Sequence, residues 1–383
     1  MNTSTSSIDE IPSETDTIVL RTYMSNILPN LLRFNNLLLL NCACNYLIEI
    51  PELPESLVEL YIQYNYITKL GKLPSSLQKL DCSSNILTEL PILPTKLKYL
   101  NCINNQLSLL PLLPDKLEKI CCKSNKLIEL PILPGSLKIL SCSNNQLTNI
   151  PELPLTLIIF KCNYNIISKL PVLPESLTEL ECGYNQLIEL PNIPHLLSVL
   201  ECSNNKILYL SKLPDQLEIF NCSYNELTKL PKLPNILIHL ICNNNKLTYL
   251  PNLNNQRVLN CLDCSDNQLM DLPLLPDTLH NFGYSDNPIF DIIDEIDIYN
   301  DDNHIDITKI EFINNKCNIL KKCKYYYNAT KLRNFYYTKI KEPNIIIKAH
   351  PNNLKRLLEE NPTMNLEDVI QKFEDGIDKY FFN

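Results

Sequence analysis

Hydrophobic and polar positions repeat along this chain with a period of twenty residues. One unit, starting at Leu97, reads LKYLNCINNQLSLLPLLPDK, and the general pattern is L-x-x-L-x-C-x-x-N-x-L-x-x-L-P-x-L-P-x-x. The pattern begins near Leu37 and recurs to Leu237; after an insertion of two residues it continues from Leu259 and Leu279. A unit of this length cannot bury its apolar face alone, so the thirteen units over residues 37–290 predict a solenoid of stacked repeats.

The first half of each unit predicts a short strand. Leu100 and Cys102 alternate with Tyr99 and Asn101, which is the period of a strand with one buried face. We expect stacked units to pair these strands in parallel, with the leucine and the cysteine inward and the alternate residues on an exposed concave face. The asparagine after the strand, Asn105 here, is predicted to turn the chain and to satisfy backbone groups of neighbouring units with its amide.

The second half of each unit carries two prolines. Pro111 and Pro114 fix φ and lack an N–H, so this segment is predicted to be extended or polyproline-like. Twenty residues leave no room for a full helix on the convex side.

These motifs resemble the leucine-rich repeat, with cysteine in the place of a leucine. The double-proline ending, as in Leu130–Pro134, is similar to the short repeat subtype of bacterial effector proteins, and the repeats are also similar to those of amoebal giant viruses, where Asn, Ile, Lys and Tyr are favoured as here. The resemblance implies an α/β leucine-rich-repeat solenoid with short parallel strands on the concave face, an extended convex side and helical terminal caps. It also implies a scaffold for protein–protein interaction.

Residues 1–36 precede the repeats. We predict a disordered start over residues 1–14 and a helical N-terminal cap over residues 15–33, because Ile18, Val19, Tyr23, Ile27 and Leu28 follow helical spacing. The alternative is a module of the F-box kind, which would make the protein an adaptor or substrate receptor for a ubiquitin ligase. The segment is short for such a module.

Residues 291–383 change in character. An acidic linker over residues 291–306 is followed by a basic segment, 309–356, in which lysines and aromatic residues are interleaved, and residues 352–361 and 366–381 have the pattern of short amphipathic helices. We interpret this part as a C-terminal capping segment. Contact with single-stranded nucleic acid by the basic segment is the alternative.

Eleven of the sixteen cysteines occupy one inward repeat position, and we predict that they are reduced, buried and structural. The pair Cys261 and Cys264 spells CxxC, but strand alternation places the two side chains on opposite faces, and no second ligand pair follows. Cys317 and Cys323 lie outside the repeats; a fragment of a metal site is the alternative for them, but His304 and His350 are distant and a core or incidental role is expected. We therefore expect no metal site.

Composition limits the functional classes. The net charge of −9 argues against general nucleic-acid binding, the polar acidic N-terminus does not have the pattern of a signal peptide, and no apolar run approaches the length of a membrane span. We expect an intracellular, cytoplasmic monomer, in the host cytoplasm if the protein is viral.

No catalytic motif is found in the sequence. It contains no phosphate-binding glycine loop, zinc-protease helix or nucleophile elbow. Some bacterial relatives of this repeat subtype carry a ubiquitin-ligase domain with a catalytic cysteine followed closely by aspartate, a pattern that neither Cys317 nor Cys323 matches. We expect a protein that is not an enzyme and has no cofactor.

The variable outward positions are the candidate binding surface. Exposed aromatic residues among charged ones are typical of protein interfaces, and the two signs of charge along the face favour a protein partner over a polyanion. The predicted partner-binding residues are Tyr61, Tyr64, Tyr99, Lys119, Lys123, Lys161, Tyr164, Glu179, Glu181, Tyr184, Glu201 and Tyr224. A solvated face without a tight ligand is the alternative.

Overall fold

A computed structural model describes residues 8, 11–20, 25–289 and 310–318. Within this part of the chain, fourteen strands of three residues form one sheet, in sequence order and with every neighbouring pair parallel. The strands are β1 (Thr17–Val19), β2 (Leu39–Asn41), β3 (Glu59–Tyr61), β4 (Lys79–Asp81), β5 (Tyr99–Asn101), β6 (Lys119–Cys121), β7 (Ile139–Ser141), β8 (Ile159–Lys161), β9 (Glu179–Glu181), β10 (Val199–Glu201), β11 (Ile219–Asn221), β12 (His239–Ile241), β13 (Cys261–Asp263) and β14 (Asn281–Gly283).

Each strand has a buried middle residue between two more exposed ones. Leu100 in β5 pairs with Ile120 in β6 and is fully buried, and so is Cys102, which follows β5. The thirteen strands β2–β14 correspond to the thirteen predicted units. The predicted solenoid and its strand alternation are therefore confirmed.

The repeating asparagine forms a ladder of side-chain to backbone hydrogen bonds. Asn165 donates from Nδ2 to the carbonyl oxygens of Cys142 (3.2 Å) and Cys162 (3.0 Å), and its Oδ1 accepts the N–H of Leu147 at 3.0 Å. The turn itself is made by the preceding residue, since Tyr164 has φ 55°. The asparagine thus joins two repeats while its neighbour takes the left-handed conformation.

The convex side is extended and ends in a tight turn. In the repeat that contains β9, the N–H of Leu177 donates to the carbonyl of Pro174 at 3.0 Å. Ser176 Oγ lies 2.8 Å from the carbonyl oxygen of Leu155 and 2.6 Å from that of Leu157, both one turn of the solenoid earlier. This second link between repeats, made wherever serine or threonine occupies the turn, was not predicted from the sequence.

The two-residue insertion does not interrupt the sheet. His239 of β12 pairs with Cys261 of β13, a separation of twenty-two residues, and the extra length is taken up by a turn in which the N–H of Gln256 donates to Leu253 O at 2.9 Å. The insertion therefore changes the convex side and leaves the concave face continuous.

The prediction of a helical N-terminal cap is wrong for the described residues, where Thr17–Val19 forms β1 and pairs with β2. A run of β-branched residues favours a strand, and this strand covers the edge that the first repeat would otherwise expose. Ile18 is fully buried, and Ile8 and Ile11 are buried as well, so these two residues do not belong to a disordered start. Residues 1–7, 9–10 and 21–24 lie outside the described part.

A helix, α1, spans residues 310–318 and packs on the other end of the solenoid. Its Ile310, Ile313 and Cys317 are buried, which confirms the core role expected for Cys317. Asn314 bonds both backbone groups of Leu275: Oδ1 accepts the N–H at 2.7 Å and Nδ2 donates to the oxygen at 3.0 Å. The acidic linker over residues 291–306, Cys323, the remainder of the basic segment and the two C-terminal amphipathic helices lie outside the described residues.

The eleven cysteines at the inward repeat position line the interior as free thiols. Burial raises the pKa of Cys142 to about 12, and its Sγ lies 3.5 Å from the carbonyl oxygen of Lys161 in the next repeat. These thiols are therefore protonated and act as small apolar side chains.

Among the described residues, no helix has the length and apolarity needed to cross a membrane.

Candidate functional site

The concave face is formed by the first and third residues of each strand and by the residues that follow the strand. The predicted partner-binding residues on the strands are partly exposed, and those in the loops are more exposed. The strand positions are Tyr61, Tyr99, Lys119, Lys161, Glu179, Glu181 and Glu201, and the loop positions are Tyr64, Lys123, Tyr164, Tyr184 and Tyr224.

One lysine links two glutamates of the neighbouring strand. Lys161 Nζ lies 2.6 Å from Glu179 Oε1 and 2.9 Å from Glu181 Oε1, and Asn163 Nδ2 donates to Glu181 Oε2 at 2.8 Å. Burial lowers the pKa of Lys161, but the hydrogen bonds to both glutamates outweigh it and raise the pKa above its ordinary value. The two signs of charge predicted along the face therefore meet in one network at Lys161.

Two tyrosines stack directly beside this network. The rings of Tyr164 and Tyr184 have centroids 4.1 Å apart and planes inclined by 13°, and the two side chains are 51% and 44% exposed. Each lies in the left-handed turn before a buried ladder asparagine, with φ 55° and 53°. A hydrogen bond between the hydroxyl groups raises the pKa of Tyr164. The rings are thus held at a fixed place on the face while half of their surface meets solvent.

A third carboxylate lies one repeat further along. Glu201 Oε1 accepts the backbone N–H of Ser203 at 3.0 Å, and its charge contributes to the raised pKa of Tyr164. Gly183 leaves room for it, because a Cβ at Gly183 would lie 2.9 Å from Glu201 Oε1. Gly183 and Asn163 were not among the residues predicted from the sequence. A signal was present for the former, since Gly183 is one of only five glycines and replaces a side chain at an outward repeat position.

A second group lies towards the N-terminal end of the face. Tyr61 donates its hydroxyl to Glu59 Oε2 at 2.7 Å, and burial together with this carboxylate raises the pKa of Tyr61 to about 12. Lys119 Nζ lies 5.4 Å from the centre of the Tyr99 ring, within the range of a cation–π contact. Glu59 also lies 3.6 Å from Lys79 Nζ, so this group is paired internally.

The other predicted residues are not brought into either group by a contact that we observe. Tyr64 and Tyr224 are half exposed or more, at repeats before and after the stacked pair, and Lys123 is exposed in the loop after β6. The structure thus concentrates six predicted residues in one place, which we call the tyrosine–glutamate cluster: Lys161, Tyr164, Glu179, Glu181, Tyr184 and Glu201.

The cluster can form hydrogen bonds, ion pairs and aromatic contacts with a ligand. In the described part of the chain, no group of three or more histidine, cysteine or acidic residues is placed to hold a metal ion. The cysteine of the concave face at β6, Cys121, is buried, and desolvation raises its pKa in spite of nearby lysines. The charged, hydroxyl and aromatic groups of the cluster are suited to non-covalent binding of a ligand.

Comparison with known proteins gives matches among solved structures. No family model matches the chain, and no curated protein matches it. YopM from Yersinia enterocolitica WA-314 is 34% identical with a TM-score of 0.63, and the match covers 73% of this chain and 70% of that one. YopM from Yersinia pestis, a leucine-rich effector protein, is 31% identical with a TM-score of 0.56, covering 70% of this chain and 88% of that one.

The functional domain of InlJ from Listeria monocytogenes, which includes a cysteine ladder, is 25% identical with a TM-score of 0.55, and the match covers 68% of this chain and 64% of that one. The inward cysteines of the present chain form a comparable column through the repeats. The repeat period of twenty residues, the parallel sheet and the asparagine ladder indicate a leucine-rich-repeat solenoid, and these matches indicate the same fold. The chain belongs to the leucine-rich repeat proteins.

Proposed function

We propose that this protein is a non-catalytic interaction scaffold that binds a protein partner through its concave face, at the tyrosine–glutamate cluster. The observation that carries the proposal is the stacked, half-exposed pair Tyr164 and Tyr184 beside the network of Lys161, Glu179 and Glu181. Tyrosine supplies a large amphipathic contact area at low cost in side-chain entropy, and tyrosine is enriched among the residues that dominate binding energy.

The rigidity of the scaffold supports the same proposal. The two tyrosines are fixed by turns that the asparagine ladder holds, and the charged side chains are fixed by ion pairs between adjacent strands. A partner that binds here would meet side chains that are already ordered, so less conformational entropy is lost on association.

Charge indicates the chemistry of the partner. The cluster contains one lysine and three glutamates, Glu179, Glu181 and Glu201, so its formal charge is +1 − 3 = −2. Two of the glutamates already share Lys161, and Glu201 borders the tyrosine rings. A basic side chain can meet both a carboxylate and an aromatic face at this point, so we propose a partner segment that presents arginine or lysine.

The similarity to the two YopM proteins supports an effector-like role, and we propose that the protein acts on a host protein in the cytoplasm. The composition rich in Asn, Ile, Lys and Tyr, together with the repeat form, supports the further proposal that the protein is viral.

Affinity capture with matched variants tests the proposal. The full chain is compared with the double variant Tyr164→Ala, Tyr184→Ala, with Glu201→Lys, and with the control Tyr249→Ala, which removes a tyrosine that is equally exposed but lies beyond the concave strands. We expect the same partner with wild type and the control, at least tenfold less with the double variant, and a loss with Glu201→Lys. Recovery of the same proteins in the same amounts by all four chains would refute the proposal.

A further inference from the structure

The convex side carries a row of exposed apolar side chains in three consecutive repeats. Ile92, Leu112 and Ile132 occupy the position between the two prolines of the repeat and are 90%, 83% and 85% exposed. We call this row the convex ridge. Leu109 and Ile128, each about half exposed, lie beside it in the same repeats and widen the apolar surface.

The ridge is rigid and regular. Each of its side chains stands between two prolines, whose fixed φ stiffens the backbone, and the three repeats are held in register by the pairing of β4, β5 and β6. Large aliphatic side chains scattered singly on a surface need no explanation, but a contiguous apolar row marks an interaction site. In the repeats on either side the same position is charged, as Lys72 and as Glu152.

The order of residues along this column is self-complementary. Read in sequence it is Lys72, Ile92, Leu112, Ile132 and Glu152. A two-fold axis at Leu112 that runs across the column places this leucine against its own copy. The same axis places Ile92 against Ile132 and Lys72 against Glu152. An arrangement with parallel columns would instead oppose lysine to lysine and glutamate to glutamate, so charge selects the antiparallel one.

We propose that two copies of this chain associate through the convex ridge, back to back and antiparallel, with Leu112 on the two-fold axis and Lys72 of each copy paired with Glu152 of the other. Lys72 lies 3.4 Å from Glu55 of its own chain, but its side chain is 86% exposed and is free to turn towards a second carboxylate. Glu152 is exposed on the same side. The sequence alone favours a monomer, and the exposure of the ridge is the reason for the different conclusion.

The arrangement has a consequence for binding. Two convex surfaces touch only over the few repeats around Leu112, so the association is weak and depends on concentration. Both concave faces point outward and stay accessible, so the dimer presents two copies of the tyrosine–glutamate cluster. A partner with two binding segments would gain avidity from it.

Sedimentation equilibrium of the full chain under reducing conditions tests the proposal. We expect the average mass of the wild type to rise with concentration from monomer towards dimer, and Leu112→Lys, which places two lysines on the axis, to weaken association at least tenfold. Lys72→Glu and Glu152→Lys should each weaken association, because each opposes like charges at both ends of the ridge. The control Lys232→Glu, at an exposed position of the same column six repeats from the axis, should associate like the wild type.

The decisive measurement mixes the two charge variants. A chain with Lys72→Glu carries two negative ends and a chain with Glu152→Lys carries two positive ends, so the mixture should form heterodimers more tightly than either variant forms homodimers. Circular dichroism confirms that every variant is folded. A wild type that stays monomeric at all concentrations, an unchanged Leu112→Lys, or a mixture that associates no better than its components would overturn the proposal.

Discussion

Replacement of one ladder asparagine by a side chain of similar size measures what the ladder contributes. In Asn165→Leu, the N–H of Leu147 loses its acceptor and is left buried without a partner, which costs about 1–3 kcal/mol. The carbonyl oxygens of Cys142 and Cys162 lose one donor each, but each keeps the amide of an adjacent ladder asparagine, so these losses cost about 0.5–1 kcal/mol apiece. We therefore expect the free energy of unfolding to fall by about 2–5 kcal/mol.

Urea denaturation followed by far-ultraviolet circular dichroism measures this change. The matched control is Asn149→Leu, since Asn149 is exposed and its side-chain amide contacts only the hydroxyl of its neighbour Thr148. The control should change the free energy of unfolding by less than about 0.5 kcal/mol. If Asn165→Leu and Asn149→Leu denature at the same urea concentration, the asparagine ladder does not stabilise the stack and our reading of the repeat is wrong.

Other predictions concern the concave face, the convex turn and the thiols. Gly183→Ala should lower the free energy of unfolding by only about 0.5–1 kcal/mol, because Glu201 Oε1 at 2.9 Å ends a flexible side chain and can move, whereas the backbone oxygen of Ser203 at 3.2 Å must shift slightly; Gly135→Ala, with nothing within 4 Å, should be neutral in the same urea assay. Ser176→Ala removes a hydroxyl whose single proton is shared between the carbonyl oxygens of Leu155 and Leu157, and should cost about 1 kcal/mol in that assay. Burial raises the pKa of Cys142 from 9.0 to about 12, so its thiol contributes no pH dependence below pH 9.0. Above this pH the unfolded state ionises first, so the free energy of unfolding should fall as the pH rises towards 12, which denaturation at increasing pH measures. Alkylation of the native protein should modify the exposed Cys44 and leave the buried Cys142 unmodified.

The repeat made the fold predictable from sequence. All thirteen units have the same alternation of apolar and polar positions. The inward orientation of Leu100 and Cys102 and the burial of Asn105 could therefore be predicted from one unit and checked against the others. The N-terminal end had no such redundancy. Thr17–Val19 occurs once, its spacing fits a helix, and only the exposed edge of β2 turns it into a strand.

The candidate site was predictable in part. The sequence alone identified Tyr164, Tyr184 and the glutamates as outward residues, because outward positions follow from the period. It did not pair Lys161 with Glu179 and Glu181, since these contacts depend on rotamers and on which way a long side chain leans across the strand spacing. The convex ridge was not predicted for a related reason: its position is variable in the repeat pattern, and only the structure gives the exposure of its side chains.

By itself, then, the sequence determined the solenoid, its parallel strands, the number of repeats and the reduced thiol column. These properties are local and periodic, and each unit needs only an identical neighbour to fold. Tertiary structure alone decided the contacts between side chains of different repeats: the stacked tyrosines, the shared lysine, and the cap in which Asn314 bonds the backbone of Leu275 from thirty-nine residues away. Such contacts depend on the distances between side chains in space, and a twenty-residue period carries no record of them.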